Sequence, residues 1–427
     1  MRSSDKRLVP ALPTVDRGTA PRSLRILIAS QYFPPEVGAT QSRMQAFAEH
    51  LVARGHEVTV ICEFPNHPHG VMPPEYRGRI YEDDRSNPYR VLRVWVKASE
   101  EKTQQTRMEF YLSYMAFATA MAPVAGRADV VLATTPPLFT GVAGAALARL
   151  SRAPFVLDVR DLWPAAAVSL RQISDGTSLK LAEWLERRLY REAAAVVAVT
   201  RPFCDHVDGI RRSAPPTTLI PNGTLELFLE AQAAGGREAL GAADGDFLVT
   251  FAGTHGIAQG LDSVLDAALL LDGEARFVFV GDGPMKESLV QLAAERGVGN
   301  VEFHPQVSLD EMPPLLAASD ALLVPLSGHP TFRDFVPSKM IDAMAVGRPV
   351  ILSAAGEAAR ILELAGAGVA AAPEDAEELA RAVRWLKAHP KDAQEMGRRG
   401  RAFARSRLRS AQARRLEELL LDVTESR

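Results

Sequence analysis

Asp334 and Asp342 stand eight residues apart in HPTFRDFVPSKMIDAMAVGRPV, residues 329–350, with Arg333, Ser338 and Lys339 in the same stretch. Carboxylates accept hydrogen bonds from ribose hydroxyls, and a diphosphate is held by helix N-terminal amides with a cation close by. This segment offers all three. FAGTHGIAQG, residues 251–260, places Gly253, Gly256 and Gly260 around Thr254, His255 and Gln259. Amides in such a loop are expected to be free for phosphate oxygens, although its spacing is not G-x-G-x-x-G. VGDGP puts Gly281, Asp282 and Gly283 where an apolar run gives way to a helical pattern, and Asp282 equally suits a helix cap. In the first half, SQYFPPEVGATQSR sets Gly38 and Ala39 before a helix carrying Arg43. A small-residue turn there admits a ligand to the backbone, and a plain tight turn has an equal claim. LDVRDLWP ends a strand at Arg160 and Asp161, where Asp161 serves either chemistry or a turn cap. His67 and His69 have only Cys62 and Glu63 beside them, too few convergent ligands for a metal, so contacts to an acceptor or to solvent are expected.

Such residues act only where a scaffold brings them together. Short apolar runs at 24–29, 57–62, 90–96, 129–133, 155–158 and 195–199 alternate with helical patterns in the first half. The second half repeats this at 247–252, 276–280, 301–304, 321–324 and 349–352. Runs apolar throughout mark strands buried on both faces of a parallel sheet. Met44, Phe47, Ala48 and Leu51 form one helical face closed by Gly55, and Leu181, Trp184, Leu185 and Leu189 are similarly spaced. Strand–helix–strand alternation predicts two doubly wound Rossmann-like α/β domains, and ligands of such sheets sit beyond the strand carboxyl ends. The expected units are a disordered leader at 1–23, a first domain at 24–213, a second at 214–395, and C-terminal helices at 396–427 that pack back across the hinge. The connection 63–85 reads as a long irregular loop.

Composition narrows the function. The chain has 427 residues, 47% hydrophobic and 24% charged, with a net charge of −3, which gives no electrostatic footprint for nucleic acid. Two cysteines far apart in sequence fit a reducing compartment. The uncharged stretch 110–125 is too short to span a bilayer and is expected to be core more than membrane-facing. Lys180, Arg187, Arg188 and Arg191 form a basic run that suits either solvent or an anionic membrane surface.

From residue 24 onward the motifs PPEVGATQSR, IPNG, FAGTHGIAQGLDSVL, FVFVGDGP, ASDALLVPL and PSKMIDAMAVGRPV resemble those of the retaining glycosyltransferases of GT-B fold. PNHPHG, TTPPLFTG and LDVRDLWP are more narrowly similar to the colanic acid and N-acetyl-L-fucosamine transferases of bacterial polysaccharide synthesis. The resemblance implies a nucleotide diphosphate sugar as donor, UDP- or GDP-linked, and a lipid-linked saccharide as acceptor at the inner face of the cytoplasmic membrane. It implies no metal and no other cofactor. The family's Glu-x7-Glu pattern falls on Asp334 and Asp342, so Asp342 would take the ribose hydroxyls and Asp334 the donor sugar. The amides of Ser338 and Lys339 would hold the distal phosphate, and His304 to Val307 would face the base.

Two departures stand out. The family's Arg and Lys in the glycine loop align with Thr254 and Gln259, leaving Lys339, Arg333 or His255 to supply the charge. The usual first-domain histidine is absent where this chain has Pro136, so Arg160 and Asp161 become the acceptor-side groups, with Asp161 as a general base and Gly38, Ala39, Arg43 and His67 around the acceptor. A non-catalytic nucleotide-sugar binder and a nucleotide-sugar epimerase are the alternatives.

Overall fold

The computed structural model describes residues 23–66, 70–101, 103–165, 168, 176–212, 214–243 and 245–426. Eight strands form the first sheet: β1 (Arg25–Ala29), β2 (Glu57–Glu63), β3 (Tyr81–Asp84), β4 (Arg90–Val94), β5 (Val130–Thr135), β6 (Phe155–Val159), β7 (Ala195–Ala198) and β8 (Thr218–Leu219). Their spatial order is β3-β4-β2-β1-β5-β6-β7-β8, and only β3 runs antiparallel to its neighbour. Six parallel strands form the second sheet: β9 (Leu248–Ala252), β10 (Arg276–Val280), β11 (Val301–His304), β12 (Ala321–Pro325), β13 (Val350–Ser353) and β14 (Gly368–Ala371), in the order β11-β10-β9-β12-β13-β14. Helices cover both faces, which explains the unbroken apolar runs: β5 is buried at all six of its residues. The doubly wound pair of sheets is the GT-B arrangement.

Three strands escaped the apolar reading. β3 (YEDD) is a polar edge held by ion pairs to Arg79 and Arg90, so the connection 63–85 is less irregular than expected. β8 has two residues, and β14 is built from glycine, alanine and one valine. The stretch 110–125 packs against the core on one face, as expected, though few of its residues are fully buried. It spans two helices, Gln104–Ala120 and Ala122–Ala125, that lay one face on the core through Tyr114, Ala118 and Met121 and leave the other at the surface, Tyr114 donating to Ile61 O at 2.8 Å. No helix among the described residues is long and apolar enough to cross a membrane. In helix Thr177–Glu192 the inward face is Ala182, Glu186, Leu189 and Tyr190, while Leu181 and Trp184 are exposed, because the Tyr190 hydroxyl takes Glu186 inward with it.

The chain ends by returning to its beginning. Helix Pro390–Arg405 packs on helix Ser338–Ala345 of the second unit. Residues 407–409 then cross the hinge, and helix Arg409–Glu425 lies on helix Ala39–Ala53. Ala413, Leu416 and Leu420 share a core with Met44, Phe47 and Leu51. Glu417, 4% exposed, accepts hydrogen bonds from His50 Nε2 (2.8 Å), Arg54 Nε (3.1 Å) and His56 Nε2 (3.4 Å).

Candidate active site

The two glycine loops that follow β9 and β10 press against each other. A Cβ on Gly281 would lie 2.1 Å from Gly253 O, and one on Gly283 would lie 2.5 Å from His255 O. Both glycines also hold positive φ, 143° and 153°, so only glycine fits. The contact is hydrogen-bonded: His255 N donates to Asp282 O (2.9 Å) and Met285 N to His255 O (3.0 Å). The expectation of free amides in FAGTHGIAQG is therefore wrong at its glycines. Gly253 N is taken by Val280 O, Gly260 N by Ile257 O, and Gly256 N by the Gln259 side chain at 3.1 Å. Thr254 and Ile257 are the exposed members of the loop. Asp282 closes a local turn, its Oδ1 accepting from Gly283 N at 2.8 Å, rather than capping the helix, which starts at Lys286.

His255 does not provide charge. It is fully buried among the rings of Phe251, Phe279 and Phe303, neither ring nitrogen has a partner, and burial drives its pKa down to about 4. His304, expected to face a base, spends its carbonyl on Lys286 Nζ (2.7 Å) and Gly281 N, and its ring on Glu302 (2.9 Å). Val307 packs into the apolar cluster of Leu240, Leu248 and Val280. Arg333 is exposed at the rim.

The cation of this half is Lys339. It is the second residue of helix Ser338–Ala345, and its Nζ lies 4.2 Å from the centroid of the Phe251 ring. That nitrogen is buried without a hydrogen-bond partner, and burial lowers its pKa to about 7. A Cβ on Gly253 would come within 2.5 Å of it, so the glycine clears the room the ammonium occupies. Among the described residues the Ser338 and Lys339 amides find no acceptor, as befits a helix N-terminus. An unpartnered ammonium beside two open amides is a place for anionic oxygens.

Asp342, one turn along the same helix, accepts from the Thr224 hydroxyl at 2.8 Å, and burial raises its pKa against the opposing field of Arg409. Asp334 ends the short 3-10 turn Pro330–Asp334. Phe335, its neighbour, meets Phe203 edge-on at 5.4 Å and joins Val199, Cys204 and Leu162 of the first unit. Leu162 follows Asp161. Asp334 and Asp161 thus flank one apolar contact across the cleft.

Asp161 accepts from the Leu162 amide, yet its Oδ1 is buried with no partner; burial raises its pKa to about 7, with Arg160 opposing the shift. Arg160 donates through Nε to Thr134 Oγ1 (3.0 Å) and through its amide to Thr135 O, and burial lowers its pKa to about 10. Thr134 in turn donates to Asp158 Oδ2 at 3.1 Å. Pro136 follows β5, half-buried beside them.

Arg43 corrects another expectation. Its guanidinium pairs with Asp158 (2.8 and 3.2 Å) and donates to Ile220 O and Pro221 O of the hinge, with 5% and 0% of the two side chains exposed. It therefore ties the first sheet to the hinge and is not open to an acceptor. Gly38, at φ 169°, is extended backbone that any residue adopts, and exposed Ala39 opens the helix. His67 lies outside the described residues, and no group of three metal-ligating side chains occurs among those described.

Asp158, Thr224, Phe335 and Arg409 went unread in the sequence. Only Asp158 carried a signal, as the one polar residue of FVLDV.

Comparison with known proteins agrees with this architecture. Residues 38–223 match the glycosyl transferase 4-like domain, and residues 236–403 match the glycosyl transferases group 1. The chain is 26% identical over 377 residues to WcaI of Escherichia coli, a protein assigned to colanic acid biosynthesis as a glycosyl transferase, covering 84% of this chain and 91% of that one. Among solved structures, sucrose-phosphate synthase of Thermosynechococcus elongatus superposes with a TM-score of 0.73 at 20% identity, over 95% of this chain and 100% of that one. HepE of Anabaena, solved in complex with UDP, gives a TM-score of 0.70 at 19% identity, over 93% and 99%.

Proposed function

We propose that this chain, a glycosyltransferase of GT-B fold by its two domain matches and its architecture, moves a hexosyl or N-acetylhexosaminyl unit from a UDP- or GDP-sugar to a hydroxyl of a lipid-linked glycan, with retention of anomeric configuration. The observation that carries this reading is Lys339: a buried ammonium without an anion, beside the open amides of Ser338 and Lys339. A diphosphate there satisfies all three donors at once. Asp342 would turn from Thr224 to the ribose hydroxyls, and Asp334 would meet the donor sugar. As the bond to the diphosphate lengthens, negative charge grows on the leaving oxygens and the preorganised donors stabilise it without reorganising. The attacking hydroxyl arrives on the same face, held near Asp161, whose unpartnered oxygen suits a hydroxyl proton. The two halves together exclude water, which favours transfer over hydrolysis. No step calls for a metal.

Two features support a lipid-bound acceptor at the cytoplasmic leaflet. HepE, similar in fold, was solved with UDP, and WcaI, similar in sequence, is assigned to colanic acid biosynthesis. On the first unit, helix Thr177–Glu192 exposes Leu181 and Trp184, with the Arg188 guanidinium 5.4 Å from the centroid of the Trp184 ring and Lys180 beside them.

Isothermal titration of UDP-, GDP-, ADP- and dTDP-sugars into the wild type and Lys339→Met tests the donor site. One nucleotide class should bind in the micromolar range, weakened about 10–100-fold by the substitution, as expected for loss of a charge-assisted hydrogen bond. Binding of none of them, or binding indifferent to Lys339, would overturn the reading.

A further inference from the structure

The donor reading leaves one charge unaccounted for: a diphosphate carries more than Lys339 neutralises, and the glycine loop holds the uncharged Thr254 and Gln259. We propose that Arg409, the first residue of the C-terminal helix, is the second diphosphate-binding cation of this site, an inference that rests on the donor reading above.

Three observations carry it. Arg409 is pinned at the hinge, its amide donating to Thr224 O (2.8 Å) and its Nε to Gly223 O (3.0 Å). The crossing is tight, since a Cβ on Gly223 would lie 2.3 Å from Arg407 O. With Nε taken, the two terminal nitrogens make no hydrogen bond among the described residues, and no carboxylate lies within 4 Å as an ion-pair partner. Asp342 feels the field of Arg409 but gives its hydrogen bond to Thr224. A guanidinium held by its Nε and open at its outer edge presents the planar fork that phosphate oxygens fit.

The second observation is where that edge stands. Arg409 lines a gap between the two units together with Asn222, Ser338 and Gln412. Ser338 is the first residue of the helix whose second is Lys339, so the gap and the Gly253 loop flank one N-terminus. Arg43 also lines the gap, but Asp158 and the hinge carbonyls have taken its donors.

The third observation concerns the kind of ligand. Gln412 is 2% exposed, and its carboxamide oxygen has no partner. The ionised diphosphate oxygens alone would satisfy Arg409 and the Ser338 amide but leave that oxygen bare. A nucleoside diphosphate sugar brings anionic oxygens and hydroxyl donors together, and so meets both needs. Because Arg409 belongs to the helix seated on the first unit, the donor would be gripped by both halves of the molecule.

The experiment compares calorimetric binding of the nucleoside diphosphate that the wild type prefers with that of the matching nucleoside, in the full-length wild type, Arg409→Gln, Arg409→Lys and Lys339→Met. Arg409→Gln should weaken the diphosphate about tenfold or more and move the nucleoside less than about twofold, and Arg409→Lys should recover part of the loss. Equal changes in diphosphate and nucleoside binding would mark Arg409 as a hinge strut and overturn the proposal. So would an unchanged diphosphate affinity while Lys339→Met still loses its own, a result that leaves the donor reading standing. Absence of nucleotide binding by the wild type would overturn both.

Discussion

The two sides of the cleft handle charge in opposite ways. On the second unit Lys339 is buried without a counter-ion, while the loops around it are locked by hydrogen bonds and glycine contacts. On the first unit nearly every buried charge is answered from within: Arg43 by Asp158, and Glu63 by Gln31 (2.8 Å) and Asn66 (2.8 Å). A side that keeps one charge open is preorganised for a ligand of fixed opposite charge. A side that satisfies its charges supports a more neutral partner, such as a sugar hydroxyl, and keeps the Asp161 carboxylate oxygen for work.

The sharpest way to break this contrast is at that oxygen. Asp161→Asn should lower kcat by about a hundredfold or more while donor affinity holds, if the carboxylate takes the acceptor proton. The wild-type rate should rise with pH through about 7, where the raised pKa frees the carboxylate, and the Asn variant should lose that rise. A flat wild-type profile would move Asp161 to a purely structural place. Next in size is Arg43→Ala, which strands the fully buried Asp158 carboxylate. Urea denaturation should register a loss of about 3–5 kcal/mol, the usual result of removing one partner of a buried pair. A loss below about 1 kcal/mol would mean that the first side is less self-contained than its hydrogen bonds suggest.

The smallest effect sharpens the other side. Lys339→Met, an apolar chain of similar length over Phe251, should raise the melting temperature of the unliganded protein by a few degrees. The sign follows from the lowered pKa. Below about 7 the folded protein carries a buried ammonium that the unfolded chain keeps in water, so the wild type is at its full disadvantage. That disadvantage shrinks as pH rises from about 7 toward the ordinary lysine value, and the gap between the two proteins should close with it. A variant less stable than the wild type at neutral pH would show that the ammonium is not an uncompensated charge.

Much of the fold was legible because parallel strands covered on both faces must be largely apolar, and FLVTFA, RFVFV and ALLVP are. The polar edge strand YEDD has no such signature. In the site, Lys339 was legible from its place between a proline-bounded loop and a helix. His255 was misread because a histidine in a glycine loop suggests charge, whereas three phenylalanine rings around it decide otherwise, and those rings come from separate strands. Arg43 was misread because helical spacing tells which residues share a face but not what that face meets. Arg409 and Gly223, 186 residues apart, meet only because the chain crosses back over the hinge, and no local pattern announces that.

That crossing has a consequence for the order in which the molecule is made. The first unit is translated first, yet Ala413, Leu416 and Leu420 complete its core, and Glu417 gathers His50, Arg54 and His56. A nascent chain leaving the ribosome would hold the face of helix Ala39–Ala53 uncovered until helix Arg409–Glu425 emerged. The early half of the protein waits on a late one, and the two become one body only once helix Arg409–Glu425 has emerged.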